Sequence, residues 1–338
     1  MNKLFLSVIL PILIFSLVLG GSTAYTLLEA FVLEREIAVE TIDRQPIKTP
    51  VTSEEKSEGG DSTTEAPPTV DYPIIDDRYY KDENIEITID EIEYNNHYGI
   101  ANKVFVVDLK LSSVEYLRTF VNTSSSGKIK TTTVSDMAKK NNAIFAINGD
   151  YFSFRNQGLV LRDYTKVYFK TARKSSDDDA LCILENGAFL MLNENDLANS
   201  RGRIENIPSG AYQILSFGPH LVLNGNIAVK ENQEVGQAAA ANPRTAIGII
   251  EPLHYKIVVA EGRLHRYGGR DGLKLYELAE IMQDLGCTNA YNLDGGSSTT
   301  LYFNGRVLNE LPDDERNVSD CIFISGVSYT ESLTKEKN

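Results

Sequence analysis

The chain has 338 residues, 42% hydrophobic and 24% charged, with a formal net charge of -14. That composition is globular and the length suits one large domain or two small ones. Its acidity excludes a general nucleic-acid binder, which needs a basic surface, so a phosphate-bearing substrate would have to be held by a few local arginines.

The first element is an apolar run over residues 4–19 behind Lys3, with apolar residues continuing through Ala24 and Leu27 to Leu33. About 20 apolar residues cross a bilayer, so residues 1–40 are expected to form a single-pass membrane anchor. The lone early lysine favours a cytoplasmic N-terminus and sends the remaining chain outside. Ser22-Thr23-Ala24 offers small residues to a signal peptidase, and a cleaved signal with a secreted product is the rival reading; apolar sequence resuming after Ala24 favours the anchor. Residues 41–71, rich in Thr, Ser, Glu and Pro, read as a solvated, disordered linker. The folded domain is expected over residues 72–330, with 331–338 as a tail.

Within that domain Ile85, Ile87 and Ile89 alternate with polar residues, as do Val107, Leu109 and Leu111, the pattern of half-buried strands. Asn186-Gly187, Asn224-Gly225 and Asn304-Gly305 each separate two apolar alternating stretches and predict hairpins, because both residue types tolerate positive φ. A short helix is expected over residues 134–140 and a longer one over 273–285. In the latter Leu275, Leu278, Ala279, Met282 and Leu285 form one stripe before Gly286. Hairpins with a few interspersed helices point to an α+β domain built on a strand-rich mixed sheet, not to a doubly wound fold.

Cys182, Cys287 and Cys321 are too few and scattered for a disulfide framework or zinc site and read as buried small residues, a Cys287–Cys321 disulfide remaining open in an oxidising compartment. His97, His220, His254 and His265 show no metal-like spacing. No metal ligand set is assigned; carboxylates would suit a divalent ion such as calcium, but no loop has calcium spacing.

The chemistry-bearing residues collect where apolar strands end. Ala143-Ile-Phe-Ala-Ile runs into Asn148-Gly149-Asp150-Tyr151-Phe152, an amide, a carboxylate and two aromatics of the kind that hold a sugar. Asn242-Pro243-Arg244 opens another strand with a guanidinium able to grip phosphate. The strand over residues 255–260 delivers Glu261-Gly262-Arg263. Asn292-Leu293-Asp294 leads into Gly295-Gly296-Ser297-Ser298, a turn whose N–H groups and hydroxyls could meet an anion beside a carboxylate. Arg316-Asn317 precedes the last apolar strand, 321–324. Each motif alone also suits an ordinary turn; their joint presence is what cleavage of a sugar phosphate requires.

In order and spacing these motifs, with Asp271-Gly272-Leu273 opening the longer helix, resemble the phosphodiester glycosidase family over about residues 143–327. The resemblance implies a mixed α/β domain that hydrolyses the bond between a sugar anomeric carbon and a phosphate oxygen. It suggests Asp294 and Glu261 as the chemical pair, with Asp150 a further carboxylate and Asp150 and Asn148 gripping sugar hydroxyls. Arg244, Arg316 and the Gly295, Gly296, Ser297, Ser298 turn would bind the phosphodiester. Family members often carry three glycines before the serines, so Ser297 is expected to narrow the pocket here. The expected setting is cell-envelope glycopolymer or exopolysaccharide metabolism. A non-catalytic binding module for phosphate-bearing wall polysaccharide and an envelope-assembly factor that transfers or trims glycopolymer are the alternatives; oligomeric state is not legible.

Overall fold

The structure is a computed structural model that describes residues 40–41, 73–123, 129–154, 158–169, 179–198, 205–233, 241–264 and 269–325. The expected anchor up to residue 39, nearly all of the linker, the tail and His265 lie outside the described residues. Among the described residues no helix is long and apolar enough to cross a membrane. Glu40–Thr41, at the expected anchor–linker boundary, pairs instead as a short strand with Thr165 and Lys166.

Three sheets of nine, six and five strands make up the domain. The alternating segments form the two longest strands, Ile85–Asn95 and Ala101–Leu111, paired along their whole length. The nine-stranded sheet continues from them through His254–Ala260, Arg244–Glu251, Asn289–Asn292 and His220–Leu223. The expected mixed sheet is corrected in one respect: among the described residues every ladder is antiparallel. Short hairpin links suffice for antiparallel neighbours, whereas parallel ones would need crossovers of a dozen residues or more.

All three Asn-Gly hairpins form. Asn224-Gly225 and Asn304-Gly305 are two-residue loops with both residues at positive φ, closing Leu223 on Asn226 and Phe303 on Arg306. That is the turn whose twist matches paired strands. Asn186-Gly187 lies in a longer loop joining Asp179–Leu184 to Phe189–Asn193.

Strand alternation sorts the layers. Ile247, Ile249, Ile257, Val259, Tyr291 and Leu293 face a central core shared with Phe145 and Ile147 of the five-stranded sheet and Leu181 and Leu215 of the six-stranded one. Ala246, Val258, Ala260 and Ala290 face the other way, onto Leu275, Leu278, Ala279 and Met282 of the helix Leu275–Asp284. Small residues on that face let the helix lie close to the sheet. The helix starts two residues later than its apolar pattern, because Leu273 is held in a bridge to Asn242 and the Glu277 carboxylate accepts the Lys274 N–H at 2.7 Å, half of a capping box. The helix Val134–Lys140 forms as expected, capped by Thr133, and covers the five-stranded sheet through Val134, Met137 and Ala138. Cys182, Cys287 and Cys321 are buried and unbridged, with the Cys182 and Cys287 thiols pushed up to about 12 by burial.

Candidate active site

Register brings the candidate strand ends together. Arg244 pairs with Ala260, and Asn292 pairs with Ala246 on the other side. Leu293 and Gly296 then continue that ladder, donating their N–H groups to Thr245 and Pro243. Arg244 is thus flanked by the strand that ends at Glu261 and the strand that ends at Asp294. The five-stranded sheet abuts the same place: Asp294 N–H donates to Gly149 O at 3.2 Å, and Asn148 Nδ2 donates to Asp294 O at 2.7 Å.

The backbone through Asn242-Pro243-Arg244 is pinched between three loops. A Cβ on Gly272, whose φ is +100, would lie 2.3 Å from the Asn242 carbonyl. One on Gly262 would lie 2.7 Å from Pro243 N, and one on Gly295 2.8 Å from Pro243 O. No side chain fits at such distances, so glycine is required for the backbones to meet.

Asn148 is fully buried, and its Oδ1 accepts from Thr245 Oγ1 at 2.8 Å and Thr300 N–H at 3.2 Å. The amide therefore ties the two sheets together, with its Oδ1 and Nδ2 both bonded to protein partners. Asp150 is also buried. Its Oδ1 accepts the Tyr151 N–H at 2.5 Å and its Oδ2 the Ser216 N–H at 2.7 Å. Arg162 Nη2 lies 3.5 Å from Oδ2, so Asp150 too is turned toward the protein.

Two residues that sequence reasoning missed complete this network. Arg162, at the end of the strand Leu159–Arg162, donates through Nε to Asp320 Oδ2 at 2.6 Å and through Nη1 to the Leu161 and Ile214 carbonyls. Asp320 Oδ1 in turn accepts the Asp150 N–H at 2.8 Å. Arg162 is 3% exposed and its Nη2 lacks a hydrogen-bond partner. Burial pushes the Asp320 carboxyl upward, opposed by Arg162. The available signal was a charged residue fused to an apolar segment, in Leu159-Val160-Leu161-Arg162 and in Asp320-Cys321-Ile322-Phe323.

Asp294 occupies the centre. Burial raises its carboxyl from 3.8 to about 6, opposed by the Ser298 hydroxyl, Arg316 and the Gly295 N–H, and reinforced by the negative charge of Asp150. The Gly295 N–H bond to its Oδ1 is 2.9 Å. Arg316 is half-buried, with its guanidinium 5.9 Å from the centroid of the Phe154 ring. Among the described residues that guanidinium has no hydrogen-bond acceptor. Arg244 is buried and donates through Nε to Leu273 O at 3.0 Å, so part of its fork is committed to the protein.

The glycine-serine turn differs from expectation. Gly295 donates to Asp294, Gly296 to Pro243 O and Ser298 to Gly295 O, so these N–H groups point inward rather than toward an anion. Ser297 keeps its N–H and hydroxyl without a partner among the described residues.

Glu261 departs furthest from the expected pairing with Asp294. Its Oε1 accepts the Glu310 N–H at 2.7 Å and its Oε2 accepts Arg270 Nη1 at 2.6 Å. Its carboxyl is raised by burial, opposed by the Glu310 N–H, Lys103 and Arg270, with the Glu310 charge adding to the rise. Because Arg244 is opposite Ala260, strand alternation turns Glu261 to the other face of the sheet from Arg244. The carboxylate whose charge acts on Asp294 is Asp150. Among the described residues no group of three or more His, Cys, Asp or Glu side chains is arranged to hold a metal ion.

A buried acid raised toward neutrality, with an arginine charge acting on it where antiparallel sheets meet, is the kind of perturbed group that clusters at functional sites. The chain belongs to the phosphodiester glycosidase family, whose sequence profile matches residues 141–325. It is 33% identical over 114 residues to the mouse N-acetylglucosamine-1-phosphodiester alpha-N-acetylglucosaminidase, covering 30% of this chain and 21% of that protein. The human enzyme of the same name is 28% identical over 244 residues, 64% of this chain and 45% of the relative. An uncharacterised SPbeta prophage-derived protein of Bacillus subtilis, YomE, is 26% identical over 196 residues, 57% of this chain and 29% of its own length. The chain thus spans less than half the length of these relatives. The fold matches the zebrafish catalytic domain of the same glycosidase, solved in a form auto-inhibited by its pro-peptide. That match has a TM-score of 0.55 and 19% identity, and covers 72% of this chain and 84% of that one.

Proposed function

We propose that this chain hydrolyses a sugar-1-phosphodiester, breaking the bond between the anomeric carbon and the phosphate oxygen. The observation that carries the reading is Asp294: a buried carboxyl held near 6, with Arg316 close enough to oppose its shift. The names of the mouse and human relatives supply the substrate class.

Phosphate leaves without strong protonation, so the first demand is to hold its charge, a task suited to the Arg316 guanidinium and the Ser297 hydroxyl. Asp294 then faces the oxocarbenium-like centre and takes the proton of the incoming water, which adds to the anomeric carbon as the oxygen departs with phosphate. A carboxyl near 6 is ionised at neutral pH yet basic enough for that transfer. Asp150 acts through its charge on Asp294, with Arg162 and Asp320 fixing its place.

We place this activity outside the cytoplasm, in cell-envelope glycopolymer or exopolysaccharide metabolism. The apolar segment at 4–19 and the polar stretch after it support that setting. The test of the reaction is to offer the purified full chain a phosphodiester of N-acetylglucosamine 1-phosphate and assay released sugar. Release by the parent and none by Asp294→Asn is expected; equal release by both sinks the assignment. Protease treatment of intact cells tests the location, since the domain should be digested without lysis.

A further inference from the structure

Tyr151 and Phe154 stack with ring centroids 4.6 Å apart and planes inclined by 18°, and Phe217 meets Tyr151 edge-on at 6.4 Å and 79°. All three rings are half-buried, and none belongs to the hydrophobic cores of the described residues. The sequence pattern suggested Tyr151 and Phe152 as the ring-stacking pair. Phe152 is instead buried, with the Arg162 guanidinium 5.5 Å from its ring centroid.

One carboxylate holds the aromatic group in place. Asp150 takes the Tyr151 N–H on one oxygen and the Ser216 N–H on the other, so the loops carrying Tyr151 and Phe217 are fastened to the same side chain. Phe154 lies within reach of Arg316, and both Asp150 and Arg316 act electrostatically on Asp294. Aromatic rings left partly in water, fixed by backbone hydrogen bonds and contiguous with a carboxylate and a guanidinium, match the surface that the C–H face of a sugar ring covers.

We infer that Tyr151, Phe154 and Phe217 form a pyranose-binding subsite, on which a sugar ring of the substrate stacks while Arg316 takes the attached phosphate. The inference deepens the proposed function and rests on its reading of the substrate as a sugar phosphate. The platform recognises the ring's shape, so hydroxyl stereochemistry is read elsewhere and tolerance among hexopyranoses follows.

Calorimetry on the full chain with N-acetylglucosamine 1-phosphate and, separately, inorganic phosphate tests it. Tyr151→Leu and Phe217→Leu keep the backbone donors to Asp150 and remove the rings. Each should weaken sugar-phosphate binding about five- to tenfold, in line with the worth of aromatic stacking, and leave inorganic phosphate unchanged. Tyr151→Phe and Phe217→Tyr should bind like the parent. Unchanged sugar-phosphate binding by the leucine variants, or an equal loss of both ligands, overturns the subsite, as does a parent that binds phosphate but not the sugar phosphate. A parent that binds through the rings yet releases no sugar from a phosphodiester supports the subsite and removes the hydrolase reading. One that turns over while its leucine variants bind normally does the reverse.

Discussion

Asp294 and Glu261 follow the two strands that flank the Arg244 strand in the nine-stranded sheet, both are buried, and burial raises both carboxyls. They differ in what surrounds them. Glu261 is matched on both oxygens, by the Arg270 guanidinium and the Glu310 N–H. Among the described residues Asp294 receives only neutral donors, Gly295 N–H and the Ser298 hydroxyl, while the guanidinium of Arg316 lies by the Phe154 ring. A buried acid with its own cation is finished as a structural element; one without is poised for a ligand. Burial alone would have ranked the two alike.

The sharpest way to break this comparison is Asp294→Asn, which should lower turnover about 10²–10⁴-fold, the range for loss of a general acid or base. The same variant should be more stable than the parent at pH 7. Folded Asp294 keeps its proton up to about 6 whereas the unfolded group releases it near 3.8, so the folded chain binds more protons in that window and stability falls as pH rises through it. The asparagine removes a penalty of up to about 3 kcal/mol, a gain that urea unfolding should show at pH 7 and not below pH 4. A gain of equal size at both pH values would refute the ionisation account.

Arg316→Ala comes next, with an expected loss of about 10- to 100-fold in affinity for a sugar phosphate, as for removal of a charge-assisted phosphate contact. Its urea midpoint should stay put. Glu261→Gln should behave in the opposite way. It should cost about 1–3 kcal/mol of stability by weakening a matched buried acid, discounted because Arg270 is 26% exposed, and leave the pH optimum unmoved. Lost turnover in a fully folded Glu261→Gln protein would erase the distinction drawn here. The smallest effect is expected from Asp150→Asn: its negative charge raises Asp294, so neutralising it should shift the acidic limb of kcat/KM against pH to lower pH.

Much of the frame was legible because its signals are local. Alternation marked the strands around Ile87 and Leu109, Asn-Gly pairs marked the hairpins, and an apolar stripe marked the helix at Leu278. The strand ends at Asn148, Arg244, Glu261 and Asp294 were legible for the same reason, as places where apolar runs give way to polar residues. Their division of labour was not. Whether Asn148 faces a sugar or a second sheet depends on Thr245 and Asp294, 97 and 146 residues away, and no local pattern carries that. Arg162 and Asp320 escaped for a related reason: each reads as the edge of a strand until register places the two 2.6 Å apart.

The contact of Gly262, Gly272 and Gly295 with two consecutive peptides, Asn242-Pro243 and Pro243-Arg244, joins three loops into one mechanical part. Displacing any of them moves the ground under Arg244 as well, so variation there cannot be absorbed piecemeal. Evolution, or an engineer seeking new sugar preferences, is left with the rim, where Ser297, Tyr151 and Phe217 can change without disturbing the joint.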